Sequence, residues 1–247
     1  MKSFTCKPER IHSCPELIEC VQEVGFLPLL ESGVSGFCAE ALVADECRYT
    51  VFPDGSWEWP LWQWKGAVIR EGDCVYGKLF GGKAGFVSRS WWPDLYNWRR
   101  SQHPAPAEGT IEDGILSTLR LNGSMITREL RAACDFTNPT APRARTAGAG
   151  SRGAARPKGN MRSKFDAYIT RLQMGTHIIT EDFVYPTDKH GHEYGFGWAL
   201  LTTPEHLLGH EACRCERSPE ESLQRMTEHL AHLLPAASEQ QIMKIIR

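Results

Sequence analysis

From Thr110 to Thr203 the apolar positions recur first at helical and then at strand spacing. The run TIEDGILSTLRLNG repeats Ile111, Ile115 and Leu119 every four residues, one face of a helix, and Gly123 stands where such a helix stops. SMITRELRAAC turns Leu130 and Cys134 inward, sets Glu129 in the first turn and places Thr127 where a helix start leaves an amide unpaired. RSKFDAYITRLQMG carries Phe165, Ile169 and Leu172 on one face and Lys164, Ala167 and Arg171 on the other, with Ser163 and Asp166 spaced as a variant of the capping box. HIITEDFVY and EYGFGWALLTT are β-rich runs joined by a polar turn from Pro186 to His192.

The flanks show the same periodicities. Ser13 and Glu16 have capping-box spacing ahead of Leu17, Cys20, Val21 and Val24, so one amphipathic helix opens the chain. WPLWQWKGAVIREG begins with Pro60, a residue tolerated in a first turn, CVYGKLFGGKAGFVS reads as a hairpin about Gly81 and Gly82, and SRSWWPDLYNWRR is a short helix. SPEESLQRMTEHLAHLLP and SEQQIMKIIR give two helices, the first with a stripe of Leu223, Met226, Leu230 and Leu233, which packs on the hairpin or forms a partner surface. The resulting fold class is α+β. A helical and hairpin tryptophan-rich region over 1–104 leads into a three-helix core plus β-hairpin wing over 105–204, and C-terminal helices fill 205–247. The element order of the middle region is that of a winged helix-turn-helix.

Composition sharpens this picture in one place. With 247 residues, 41% of them hydrophobic and 23% charged, the chain has an ordinary globular make-up, and no apolar run approaches a bilayer span. Residues 138–164 hold seven basic residues and no acid; removing their +7 from the net charge of −2 leaves −9 for the remainder. The stretch 138–161 is rich in Pro, Gly, Ala and Arg and reads as a disordered basic insertion, either a solvated loop or an arm that binds nucleic acid by releasing counterions. Nine scattered cysteines and a polar N-terminus fit a reduced, cytoplasmic protein.

In helix-turn-helix geometry the start of the third helix enters the major groove. Arg162, Ser163 and Lys164 then meet double-stranded DNA first, Thr170 and Arg171 follow, Lys189 and His190 at the wing tip touch the backbone, and Arg152, Arg156 and Lys158 supply charge from the insertion. Winged helices also serve as protein-interaction modules, and that alternative stays open. Seven of the eight tryptophans lie between Trp57 and Trp98; they fill a core or offer stacking platforms for bases.

LFGGKAGFVSRSWWPDLYNWRR, GILSTLRLNGSMITRELR and KFDAYITRLQMG, with FPDGSWEW and SPEES, resemble the winged-helix DNA glycosylases of the AlkZ type and, more closely, the AlkZ-related proteins, over residues 12 to 246. The resemblance implies winged-helix units around a DNA channel and removal of alkylated or cross-linked bases without a metal or a small-molecule cofactor. AlkZ-type enzymes use a Gln-x-Gln or Gln-x-Asp pair, which this chain lacks; its nearest triplets are Gln63-Trp64-Lys65 and Gln173-Met174-Gly175. Glu58 and Gln63, inside the tryptophan cluster, are the candidate catalytic residues for positioning water against an oxocarbenium-like sugar, or else an ordinary surface carboxylate and helix amide. Without the pair, a noncatalytic DNA-binding regulator is the competing reading. His206, His210, Cys213 and Cys215 offer four zinc-type donors at unfamiliar spacing, the alternative being a helix end with incidental thiols.

Overall fold

Short caps and apolar stripes set the N-terminal elements of the computed structural model, which describes residues 10–53, 55, 57–136, 161–187, 189, 195 and 197–247, with backbone alone at 161–163. Helix α1 (Cys14–Val24) buries Leu17, Cys20, Val21 and Val24. The Ser13 hydroxyl accepts the Glu16 amide, while the Glu16 carboxylate takes the amide of His12, one residue before the position a reciprocal box uses. Strand β1 (Phe26–Pro28) and the short helices α2 (Ala39–Leu42) and α3 (Asp45–Arg48) follow, then a small two-stranded sheet of β2 (Thr50–Val51) and β3 (Trp57–Glu58). Helix α4 (Pro60–Glu71) starts at its proline. Strands β4 (Cys74–Phe80) and β5 (Lys83–Ser88) join through Gly81 and Gly82, whose φ values of 59° and 80° suit the tight turn between them. Helix α5 (Trp92–Gln102) closes this region.

The middle of the chain follows the predicted order. Helix α6 (Ile111–Asn122) is capped by the Thr110 hydroxyl and ends at Gly123, φ 74°. It buries Ile115, Leu116 and Leu119, whereas Ile111, expected inward, is 39% exposed because it lies in the first turn, beyond the edge of the core. Strand β6 (Met125–Ile126) leads into helix α7 (Thr127–Ala133). Thr127 is not its cap: Ile126 holds that place, and the Thr127 hydroxyl donates instead to the Ala199 carbonyl at 2.9 Å, tying the helix to the following hairpin. Helix α8 (Met161–Met174) starts before Ser163, so that serine lies inside the helix rather than at its start. Phe165, Ile169 and Leu172 are buried as predicted. Strands β7 (Ile179–Val184) and β8 (Trp198–Thr202) form the hairpin. Helix α9 (Pro204–Leu208), a single 3-10 turn at Glu211–Cys213, α10 (Pro219–Leu233) and α11 (Glu239–Ile246) complete the chain.

One sheet joins the two regions. Its strand order is β1-β5-β4-β7-β8-β6, and every recorded pairing is antiparallel. Strand β7 meets β4 through Tyr76 and Thr180, so the hairpin extends the N-terminal sheet instead of standing alone. Two apolar cores flank this sheet. Ile115, Leu119, Leu130, Phe165, Ile169, Ile178 and Leu201 form the smaller core. The larger one holds α1, the β4–β5 hairpin and α5 together with Met226, Leu230, Ile242 and Ile245 of α10 and α11. Helix α10 therefore packs along α5, not on the hairpin between β7 and β8.

Arg99 shows how closely these parts are joined. It is fully buried on α5 and donates to the Ile246 carbonyl at 2.9 Å, to the Met174 carbonyl at 3.2 Å and to the Leu79 carbonyl. Two of these carbonyls lie at the C-terminal ends of α11 and α8, where helical oxygens lack partners and attract a cation. Among the described residues, no helix is long and apolar enough to cross a membrane, and the eight cysteines are all free thiols.

Candidate nucleic-acid interface

Helix α4 turns Leu61, Lys65 and Val68 inward, an i, i+4, i+7 stripe with a lysine in its middle. Helix α4 packs between α1 and β7, and Lys65 is fully buried there. Its Nζ lies 3.7 Å from the centre of the Trp62 ring, 3.9 Å from that of Phe183 and 5.7 Å from that of Tyr185. The ammonium donates to the Trp62 carbonyl at 3.1 Å and to the Tyr185 hydroxyl at 3.4 Å. Among the described residues no carboxylate pairs with it. Cation–π attraction offsets part of the desolvation, but burial still pushes the amine down to about 7. Five residues further along α4, Arg70 reaches Asp182 of β7 at 2.7 Å.

Outside this cage the aromatic surface continues. Trp59 stacks on Trp62 with centroids 5.6 Å apart and planes at 20°. The β2–β3 hairpin next to it carries Tyr49 against Trp57 at 5.7 Å, edge to face. Trp57 is 60% exposed and Val51 71% exposed, large apolar side chains with little to cover them. The other six clustered tryptophans pack on the larger core, Trp92 completely and Trp59, Trp62, Trp64, Trp91 and Trp98 in part. The cluster therefore divides between core filling and one exposed ring.

Glu58 is exposed on β3, opposite Thr50, and Gln63 is exposed on the outer face of α4. They flank the Trp59–Trp62 pair without being enclosed by it. On α8, Lys164 is half-buried. Thr170 donates its hydroxyl proton to the Asp166 carbonyl at 2.7 Å and accepts from Lys78 Nζ at 3.2 Å, so it faces the β4–β5 hairpin. Arg171 is exposed, lies 4.6 Å over the Tyr168 ring and bridges to Glu112 of α6 at 2.6 Å. Lys189 is exposed past the end of β7. Arg152, Arg156, Lys158 and His190 lie outside the described residues, as does nearly all of the 138–161 insertion, and for Arg162 and Ser163 the helical backbone alone is described.

The sulfur and imidazole donors do not converge. Cys213 is buried in the larger core, Cys215 points to Asp94 at 3.7 Å and Ser222 at 3.5 Å, and His206 lies beside Gly123. Among the described residues, no group of three or more His, Cys, Asp or Glu side chains is placed to hold a metal ion. Sequence reasoning overlooked the Lys65 cage, although a lysine at a buried position of a helical stripe is a readable signal. It also overlooked Arg128 of α7, whose guanidinium lies 4.8 Å over the Trp198 ring of β8.

These features bring the tryptophan-rich region and the β7–β8 hairpin, 120 residues apart at Lys65 and Tyr185, onto one face. A family model described as AlkZ related matches residues 11–247. Neither a curated protein nor a solved structure matches the chain. The chain belongs to the AlkZ-related family.

Proposed function

We propose that the protein is a winged-helix DNA-binding protein that recognises damaged or distorted duplex DNA in the cytoplasm. The single observation that carries this reading is the sequence α6, β6, α7, α8, β7, β8, whose three helices share one apolar core with Ile178 and with Leu201 of β8. That is the order in which a winged helix presents its third helix and its hairpin to DNA. Family membership points the same way. Lys164, Arg171 and Lys189 then contact phosphates, with Arg162 and Ser163 along the same helix, His190 at the wing tip, and Arg152, Arg156 and Lys158 adding charge from the insertion, while Thr170 is turned away to Lys78.

Recognition without excision is the reading favoured for the tryptophan-rich surface, because Glu58 and Gln63 are exposed where an excision site needs water-excluded, pre-oriented groups. Trp57 is the side chain offered for stacking on an unpaired base. The test is affinity for intact, abasic and alkylated duplexes of one sequence, with released base followed in the same samples. Tighter binding to the abasic duplex without base release supports this reading. Base release that disappears in Glu58→Ala or Gln63→Ala replaces it with a glycosylase, and no binding to any duplex leaves a protein-interaction module.

A further inference from the structure

Lys65 is a different kind of lysine from those that contact phosphates. Its amine sits among three aromatic rings, its hydrogen-bond partners among the described residues are a carbonyl and a phenol, and no carboxylate forms an ion pair with it there. The rings attract the ammonium, yet burial outweighs them and lowers the amine to about 7. A lysine that is neutral near physiological pH has its lone pair available to add to a carbonyl carbon, which is how desolvated lysines come to form Schiff bases. Two of the rings that cover Lys65, Trp62 and Tyr185, are themselves partly exposed. Beside it Trp59 stacks on Trp62, and both rings are partly exposed.

On the reading that this surface meets DNA, the carbonyl that DNA itself supplies is C1′ of deoxyribose at a position that has lost its base, where the ring opens to an aldehyde. We propose that Lys65 forms a reversible imine with this abasic-site aldehyde. The Nζ lone pair bonds to C1′ and a proton passes from nitrogen to the former carbonyl oxygen, giving a carbinolamine. Protonated again, that hydroxyl leaves as water and the C=N bond forms; hydrolysis reverses each step, and no electrons are gained or lost. Access requires the Tyr185 ring to swing away from Nζ, and the stacked tryptophans occupy the space of the missing base.

The inference rests on the DNA reading, so the experiment separates the two. The full-length protein is incubated with an abasic duplex, with and without borohydride, which reduces an imine to a stable amine. Binding is measured without the reductant, the covalent complex with it, and the attachment site is mapped by peptide mass spectrometry. The expected result is a complex attached at Lys65, lost in Lys65→Met and kept in Lys83→Met. A protein that binds the duplex but is not trapped, or is trapped on another amine, overturns the inference and leaves the DNA reading intact. A protein that does not bind abasic duplex overturns both. Mapping on the unaltered protein decides the matter even if Lys65→Met fails to fold.

Discussion

Tyr185 at the end of β7 accepts a hydrogen bond from Lys65 of α4 at 3.4 Å, joining the hairpin to a helix formed 120 residues earlier. Together with the bridge between Arg70 and Asp182, this contact orients the hairpin against the tryptophan-rich surface. A hairpin projecting alone from a three-helix core has no such restraint. The relative placement of the two regions is therefore built into the sheet and into α4.

Replacing Lys65 with Met is expected to flatten the pH dependence of stability. The folded amine, at about 7, lies below its ordinary value of 10.5. Between those limits the unfolded chain holds the extra proton, so the burial penalty is full below pH 7 and fades as pH rises toward 10.5. Lys65→Met removes it, gaining on the order of a few kcal/mol at pH 6 and progressively less toward pH 10. Urea unfolding across that range checks this; parallel curves for the two proteins contradict it.

Arg99→Ala is expected to be far more damaging. It strips three buried carbonyls of their donor and loosens α5, α8, β4 and α11 from one another. A loss of about 3 kcal/mol or more follows from leaving these groups unsatisfied. Thermal unfolding measures it, and a change below about 1 kcal/mol contradicts the joining role.

These two residues also mark what the sequence does and does not disclose. Local signals were legible: the Ser13 cap, the Gly81-Gly82 turn and the apolar stripes of α1, α8 and α10 all act within a few residues of themselves. Strand β1 was not, because Phe26–Pro28 is three residues long and gains its hydrogen bonds from β5 some sixty residues later. Nor was the union of β4 with β7, which rests on one recorded pairing, Tyr76 with Thr180. Thr127 misled for the same reason, since its hydroxyl found a distant carbonyl in β8 rather than a local amide. The site divided likewise: which residues are basic is plain in the sequence, whereas Arg171 taken up by Glu112, Thr170 by Lys78 and Lys65 by aromatic rings all depend on tertiary packing.

His177 is expected to make the fold acid-sensitive. Its Nδ1 accepts from the Arg100 guanidinium at 2.5 Å and its Nε2–H donates to the His103 carbonyl at 3.0 Å, which fixes the neutral tautomer. Burial, then the neighbouring Arg100 charge, holds the imidazole down to about 4 from 6.5. The unfolded chain takes up this proton first, so stability is complete above pH 6.5 and drains away as pH falls toward 4. His177→Gln removes that slope, visible as a stability difference between the two proteins that narrows between pH 6.5 and 4. A difference constant with pH contradicts the assignment.

Trp57→Ala separates recognition from folding. Because the ring is 60% exposed, stability is expected to change by less than about 0.5 kcal/mol. Affinity for an abasic duplex falls by about 1 to 3 kcal/mol if the ring stacks on a base. Equal losses on intact and abasic duplexes contradict a stacking role.

Binding of duplex DNA through the charge on α8 and the hairpin is read out by its dependence on salt. Fluorescence anisotropy of a labelled duplex, titrated at a series of salt concentrations, is predicted to give log affinity falling linearly with log salt, with a slope shallower by about one in Lys164→Ala. No binding at low salt, or affinity indifferent to salt, contradicts a charge-driven DNA surface.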